Sequence, residues 1–365
     1  MDADMYFRKC HGSWLGKVIG SLYGMPVEGR DPREIKKQHG QFAGWQEAHG
    51  AGGGVINDDE QFEIVALLCL EEVGIDKLSI DGLARFWKEY LKRSFLFTAE
   101  KQVYVNWRKG IPPGEAALPE NNPWFDFIGA QMKGEIFGQL VPGDLEETAR
   151  LAAIDGAVAH HGIGVDGEIF VAEMVAQGIV SKTPPTRASL QENIETALSY
   201  CNEDGRYVKL GKLLLQWISE HPEPRGWIPV FERLEKWWRE DCLEELIEEN
   251  DVNPTHPSRE QILVRCGIRP WGLCHVLPNF GIVLIALVYG GGDFGQSLQL
   301  AAMMGYDADC NVGNVGGILG AYWGDELIPD YWKKQINDEI LIVIKDWEDP
   351  SISNLVRRIQ AIARY

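Results

Sequence analysis

The sequence predicts an all-α protein, and three observations carry that prediction. Residues 5–24 and 305–324 space glycines four apart among apolar residues. Further segments open with capping signals at helical spacing. No run of alternating apolar and polar residues joined by hairpin turns occurs anywhere in the chain.

In chain order, residues 5–24 come first, with Gly12, Gly16, Gly20 and Gly24 on one ridge amid Trp14, Leu15, Val18, Ile19 and Leu22. A glycine inside a helix costs about 1 kcal/mol against alanine, so such a ridge is helical only where close packing offsets several of them. The helix is expected in the bundle centre, with the helix of residues 311–323 as a candidate neighbour. In "GGGVINDDEQFEIVALLCLEE" the glycines 52–54 form a loose turn. Asn57, Asp58 and Asp59 follow, and then a helix with Phe62, Val65, Leu68 and Cys69 on one core-facing side. "DLEETARLAAIDGAVAHH" pairs Asp144 with Glu147 at capping-box spacing, and "SLQENIETALSYC" pairs Ser189 with Glu192 likewise. "IVLIALVYGGGDF", after Gly281, is long enough for a buried helix, with His275 before it fixing the turn. Residues 184–262 carry "TPPT", "HPEP" and "NPTHP" breakers between acidic, tryptophan-bearing helices. They read either as a helical lobe inserted in a single domain of residues 1–365 or as the surface half of one bundle.

The last helix opens at "GYDADCNVG", whose Asp307, Asp309 and Asn311 imitate a calcium loop. That reading fails, because position 6 is Val312 where glycine is needed and position 12 is Ile318 where glutamate is needed. "VGNVGGILGAYWG" follows, with Gly313 and Gly317, and Gly316, Gly320 and Gly324, on four-residue rows. Asp307 and Asp309 therefore head a closely packed helix. Capping is the plain explanation for one such pair. Two acidic helix starts, at 57–59 and 307–309, ask for more. Were they to meet, each like-charge pair at 4 Å would cost roughly 4 kcal/mol at an effective dielectric of 20. No cation lies beside either motif in sequence, and divalent ions would supply the missing charge. Oxygen donors select hard ions, namely magnesium, manganese or calcium.

Composition narrows the partners. The 365 residues are 45% hydrophobic and 24% charged, with net charge −19, so a sizeable core is available and bulk nucleic acid is not an expected partner. There is no apolar stretch of membrane-spanning length, and "MDADMYFRKCHGSW" lacks signal-peptide character. The seven cysteines are scattered without C-x-x-C pairing. A cytoplasmic location without membrane attachment is expected. Trp14, Trp271 and Trp323 are candidates for stacking on a ring, although most of the 13 tryptophans must be core.

Three segments in order, "GMPVEG" (24–29), "NDDE" (57–60) and "GYDADCNVGNVGGILGAYWG" (305–324), resemble the signature segments of the ADP-ribosylglycohydrolase family, the group that includes dinitrogenase-reductase-activating glycohydrolase. "IGAQMKGEIFG" (128–138), "AHHGIGVDGEIF" (159–170) and "HVLPNFGIVLIALVYGGGDF" (275–294) are similar to weaker ones. The resemblance implies an orthogonal helical bundle with a binuclear magnesium or manganese site that hydrolyses the glycosidic bond of ADP-ribose conjugates. By matching position, Asn57, Asp58, Asp59, Asp307, Asp309 and Cys310 would be metal ligands. Glu28 or Asp59 would accept the proton of the attacking water. Gly129, Ala130 and Gln131, with His160, Gly162 and Gly164, would contact the substrate.

The sequence departs from the family pattern in three places. Cys310 replaces a threonine and is a poor magnesium ligand, Asn57 replaces a hydroxyl, and Phe127 stands at the first glycine of the phosphate loop, where Lys133 is the nearby cation. The expected substrate is an ADP-ribosylated protein side chain or small acceptor. A smaller N-riboside is the alternative favoured by Phe127, and a non-catalytic nucleotide-binding or structural relative is the alternative outside enzymes.

Overall fold

The computed structural model describes residues 1–39, 57–242 and 274–365. The glycines 52–54, Trp271 and residues 243–262 of the suggested lobe lie outside them. Among the described residues the protein is all-α, with three isolated β-bridges and no longer strand. The helices of eight or more residues are α1 (Ala3–Gly24), α2 (Pro32–His39), α3 (Asp59–Val73), α4 (Ile80–Tyr90), α5 (Thr98–Arg108), α6 (Leu145–Gly156) and α7 (Ile163–Val180). They continue as α8 (Arg187–Leu198), α9 (Arg206–Glu220), α10 (Trp227–Lys236), α11 (Val276–Gly290), α12 (Phe294–Met304), α13 (Ala308–Trp323) and α14 (Ile352–Ile362).

The glycine ridges meet. A Cβ added at Gly12, Gly16, Gly20 or Gly24 of α1 would lie 2.5, 2.0, 2.1 or 2.1 Å from the carbonyl oxygens of Gly320, Gly316, Val312 and Ala308 of α13. Residue numbers rise on one helix as they fall on the other, so α1 and α13 run antiparallel with backbones in direct contact. The end of α1 therefore lies against the start of α13. α11, buried along its whole length, packs against α7, α8, α9, α10 and α12 and forms the apolar floor of the bundle.

Capping decides where the helices begin. Asp144 accepts from Glu147 N at 3.1 Å, in line with the sequence spacing. α8 starts three residues earlier than the Ser189–Glu192 spacing predicts. Thr186 is its cap, with Thr186 Oγ1 accepting from Ser189 N at 3.2 Å and Ser189 Oγ accepting from Thr186 N at 2.8 Å. Ser189 fills the role of the return partner, which its hydroxyl can play as well as a glutamate. His275 caps α11 as expected, its Nδ1 accepting from Leu277 N at 3.2 Å.

Two lysines, each only 1% exposed, stitch the interior. Lys17 of α1 reaches Glu63 of α3 at 2.7 Å and Glu135 at 2.8 Å. Lys133 pairs with Asp155 of α6 and with Glu168 of α7, the latter at 2.7 Å. Removing one member of such a buried set strands the others' charge and costs about 3–5 kcal/mol.

Gly16→Ala is expected to destabilise the protein by roughly 1–3 kcal/mol or more in denaturant unfolding, because its methyl would meet backbone that cannot rotate away. That outweighs the ~1 kcal/mol that alanine gains as a helix former. Gly114→Ala, where an added Cβ has nothing within 4 Å, should be neutral or stabilising. Equal effects at the two positions would disprove the close-packing account.

Candidate metal centre

The contact of α1 with α13 builds the site. Beyond α1 the chain makes one turn over Met25–Val27 and exposes Glu28. Gly29 N donates to Tyr306 O at 2.8 Å, tying that turn to the start of α13. Gly305 and Tyr306 both have positive φ, 67° and 61°, which turns the chain sharply from α12 into α13. For tyrosine this is a strained conformation, costing on the order of 1–3 kcal/mol. Its ring is held edge-on against Phe231.

Neither helix uses its leading aspartate as a cap. Asp58 and Asp307 occupy the N-cap positions of α3 and α13, and neither side chain accepts a backbone N–H there. The plain capping explanation therefore fails for the two N-cap carboxylates. Instead, ligand atoms of Glu28, Asp307 and Asp309 lie within 4.8 Å of one another, and so do those of Asp59, Asp309 and Cys310. Asp309 belongs to both groups. Asp59 Oδ2 and Asp309 Oδ1 are buried without a hydrogen-bond partner. Such orphaned oxygens are costly unless something cationic answers them. These donors fit a divalent ion.

Electrostatics agree. Burial first, and neighbouring carboxylates second, push the carboxyls of Asp58, Asp59 and Asp307 well above the usual range. Burial also raises Asp309, against hydrogen bonds from Asp307 and from the Cys310 N–H that lower it. Burial and the surrounding aspartates raise the Cys310 thiol too, and its Sγ donates to Asp59 Oδ1 at 3.5 Å.

Asn57 turns its carbonyl to Asp58 N at 2.7 Å and leaves its amide nitrogen buried without a partner. Its oxygen thus orders the acidic turn.

Sequence reasoning missed four contributors. Lys17 sits beneath the centre and draws the Asp59 and Glu60 carboxyls downward, against the larger effect of burial. Asn279 of α11 accepts from Asp307 N at 3.2 Å and from Asn311 Nδ2 at 2.7 Å, fixing the turn from the floor. Cys274 hydrogen-bonds Asp307, and Glu100 faces Asp58. Their partners are distant in sequence and leave no local pattern. Only the "PN" of "HVLPNFG" marks a polar residue inside an apolar run.

The proposed substrate segment is a packed wall. Gly129 is required because an added Cβ would lie 1.9 Å from Glu100 Oε1 and 3.0 Å from His160 Cε1. Ala130 is buried. Gln131 is buried as well, its Oε1 accepting from Tyr207 at 3.0 Å and its Nε2 donating to Asn314 at 3.3 Å. His160 lies 3.5 Å from Glu100, and burial lowers it to about 3, so it is a neutral ring. Gly164 packs against Phe125 O, while Gly162, with φ 54°, opens onto free space at the start of α7. Phe127 does not project into a groove. Its ring is 3% exposed and packs edge-on against Trp124 and His275. Trp14 and Trp323 are structural, donating to Gln139 and to Gly292 O at 2.9 Å each.

The fold is that of a glycohydrolase family. The chain belongs to the ADP-ribosylglycohydrolase family, which it matches over residues 2–363. A solved structure described as an ADP-ribosylglycohydrolase-related protein complex shares the fold with TM-score 0.58, over 99% of this chain and 100% of that one, at 15% identity. No curated protein matches the chain. Among the described residues no helix is long and apolar enough to cross a membrane.

The raised carboxyls bind more protons folded than unfolded, so between the ordinary carboxylate range and their folded values stability falls as pH rises. In chelator, the melting temperature should therefore fall as pH rises above the ordinary carboxylate range of about 4. Asp309→Asn should reduce that fall and be the more stable protein at the upper end. Thermal unfolding of both across the range checks this; a wild-type slope no steeper than that of Asp309→Asn would contradict it.

Proposed function

We propose that the protein is a divalent-metal glycohydrolase acting at the anomeric carbon of a ribose, with ADP-ribose conjugates as the substrate class and two magnesium or manganese ions as cofactor. The observation that carries this reading is a pair of clusters sharing Asp309, Glu28 with Asp307 and Asp59 with Cys310, in which Asp59 Oδ2 and Asp309 Oδ1 are buried without a hydrogen-bond partner. When bound, the ions would polarise ribose hydroxyls and favour loss of a proton from the attacking water.

The chain's own residues divide the remaining work. Asp307 and Asp309, at the start of α13 with Asn279 accepting from Asp307 N, would hold the ions together with Asp59, while Asp58 and Asn57 shape the opposing turn. Glu28 is the exposed carboxylate of the set and is open to a substrate from solvent. It accepts a proton as water attacks the anomeric carbon and the bond to the acceptor breaks, and it passes that proton to the leaving acceptor. Asp59, 1% exposed and engaged by Cys310, is poorly placed for that exchange and serves as a ligand.

A smaller N-riboside is the second reading, and Lys133 favours it. That lysine is committed to Asp155 and Glu168, so a diphosphate at this wall would depend on backbone N–H groups.

Chelation should lower the melting temperature, with magnesium or manganese restoring it by mass action. Hydrolysis of ADP-ribosyl-arginine, an ADP-ribosyl-serine peptide or a member of a nucleoside panel should require the ion and fall roughly 10²-fold or more in Glu28→Gln. Metal-independent turnover, or full activity in that variant, would reject the assignment.

A further inference from the structure

The two halves of the acidic centre differ in donor chemistry. Glu28, Asp307 and Asp309 offer oxygen alone, whereas Asp59 and Asp309 are joined by the sulfur of Cys310. Cys310 Sγ lies 3.5 Å from Asp59 Oδ1. An ion with tetrahedral bonds of ~2.3 Å to sulfur and ~2.0 Å to oxygen holds those two donors about 3.5 Å apart. Independently of the sulfur, Asp59 Oδ2 and Asp309 Oδ1 belong to side chains 1% and 7% exposed and have no hydrogen-bond partner. Magnesium demands oxygen in near-octahedral array and dehydrates reluctantly, so it gains little from a thiolate. Zinc and its neighbours in the first transition row accept sulfur and carboxylate together.

We propose that the centre is chemically asymmetric, with a hard ion at Glu28, Asp307 and Asp309 and a borderline ion, zinc or a zinc-like transition metal, at Asp59, Asp309 and Cys310. The inference rests on the metal-hydrolase reading and deepens it. Asp309 bridges the halves. Coordination replaces the S–H bond of Cys310 with a sulfur–metal bond, and the proton leaves to solvent. In this arrangement the α3 half selects the metal and the Glu28 half, open to solvent, faces the substrate.

The test uses the full chain, stripped by chelator and titrated with cobalt(II). A near-ultraviolet sulfur-to-cobalt charge-transfer band reports the thiolate, and bound zinc and magnesium are counted by elemental analysis under competition. The wild type should show the band and retain one zinc per chain against excess magnesium. Cys310→Ser should abolish the band and weaken zinc on the order of tenfold or more, with magnesium at the other half retained. Cys274→Ser should keep the band, and this second variant decides the matter if Cys310→Ser fails to fold. Cobalt bound without the band, a band lost only in Cys274→Ser, or zinc held equally well by Cys310→Ser would overturn the asymmetry while leaving a metal hydrolase. Failure to retain any divalent ion would overturn both.

Discussion

The bare backbone contact between α1 and α13 sets the geometry of everything else. Glycines supply the approach on both helices, and the added-Cβ distances of 2.0–2.5 Å leave no room for a methyl at any of four successive turns of α1. Because the helices are antiparallel and in register, the end of α1 meets the beginning of α13, and Glu28 meets Asp307 and Asp309 as a result. A slip of one turn would displace the acidic turn by 5.4 Å, beyond the reach of a shared ion. The glycines that look like a stability defect along each helix are therefore what brings the carboxylates together.

Charge is the second constraint. Lys17 and Lys133 each pair with two carboxylates, and neither makes an ion pair with the aspartates above. Burial raises Glu63 and Glu168 to about 8 even with a lysine at hand. The acidic centre, with only the distant pull of Lys17, is shorter of positive charge than either set. Divalent ions, as proposed above, would satisfy that deficit locally, above the apolar α11 with Asn279 as its polar inset.

Much of this was legible in the sequence, and the reason is periodicity. Glycines four apart announce a helix that another helix approaches, and adjacent aspartates after a turn announce a charged helix start; both are local patterns. What was hidden depends on partners far along the chain. Lys17 reads as a surface charge until Glu63 and Glu135 are seen around it, and Glu100 has no distinguishing context until Gly129 and His160 close over it. Phe127 stands where the family has a glycine, and only its surroundings show that the ring turns inward to Trp124 and His275. The start of α8 was misplaced because Thr186, Ser189 and Glu192 offer two overlapping caps, and only the hydrogen bonds distinguish them.

Several departures from local rules gather where α1, α3 and α13 meet. Asp58 and Asp307 stand at N-caps without capping, Tyr306 carries a left-handed backbone, and Asp59 and Asp309 bury oxygens with no partner. At three other helix starts Asp144, Thr186 and His275 cap as their chemistry dictates. Aspartates that stand at two helix starts and cap neither are what a site for another ligand would require. The strain at Tyr306 fits the same account, since a regular turn there would carry Asp307 away from Glu28. The destabilising features thus concentrate where the α1–α13 contact and the α11 floor are strong enough to hold them.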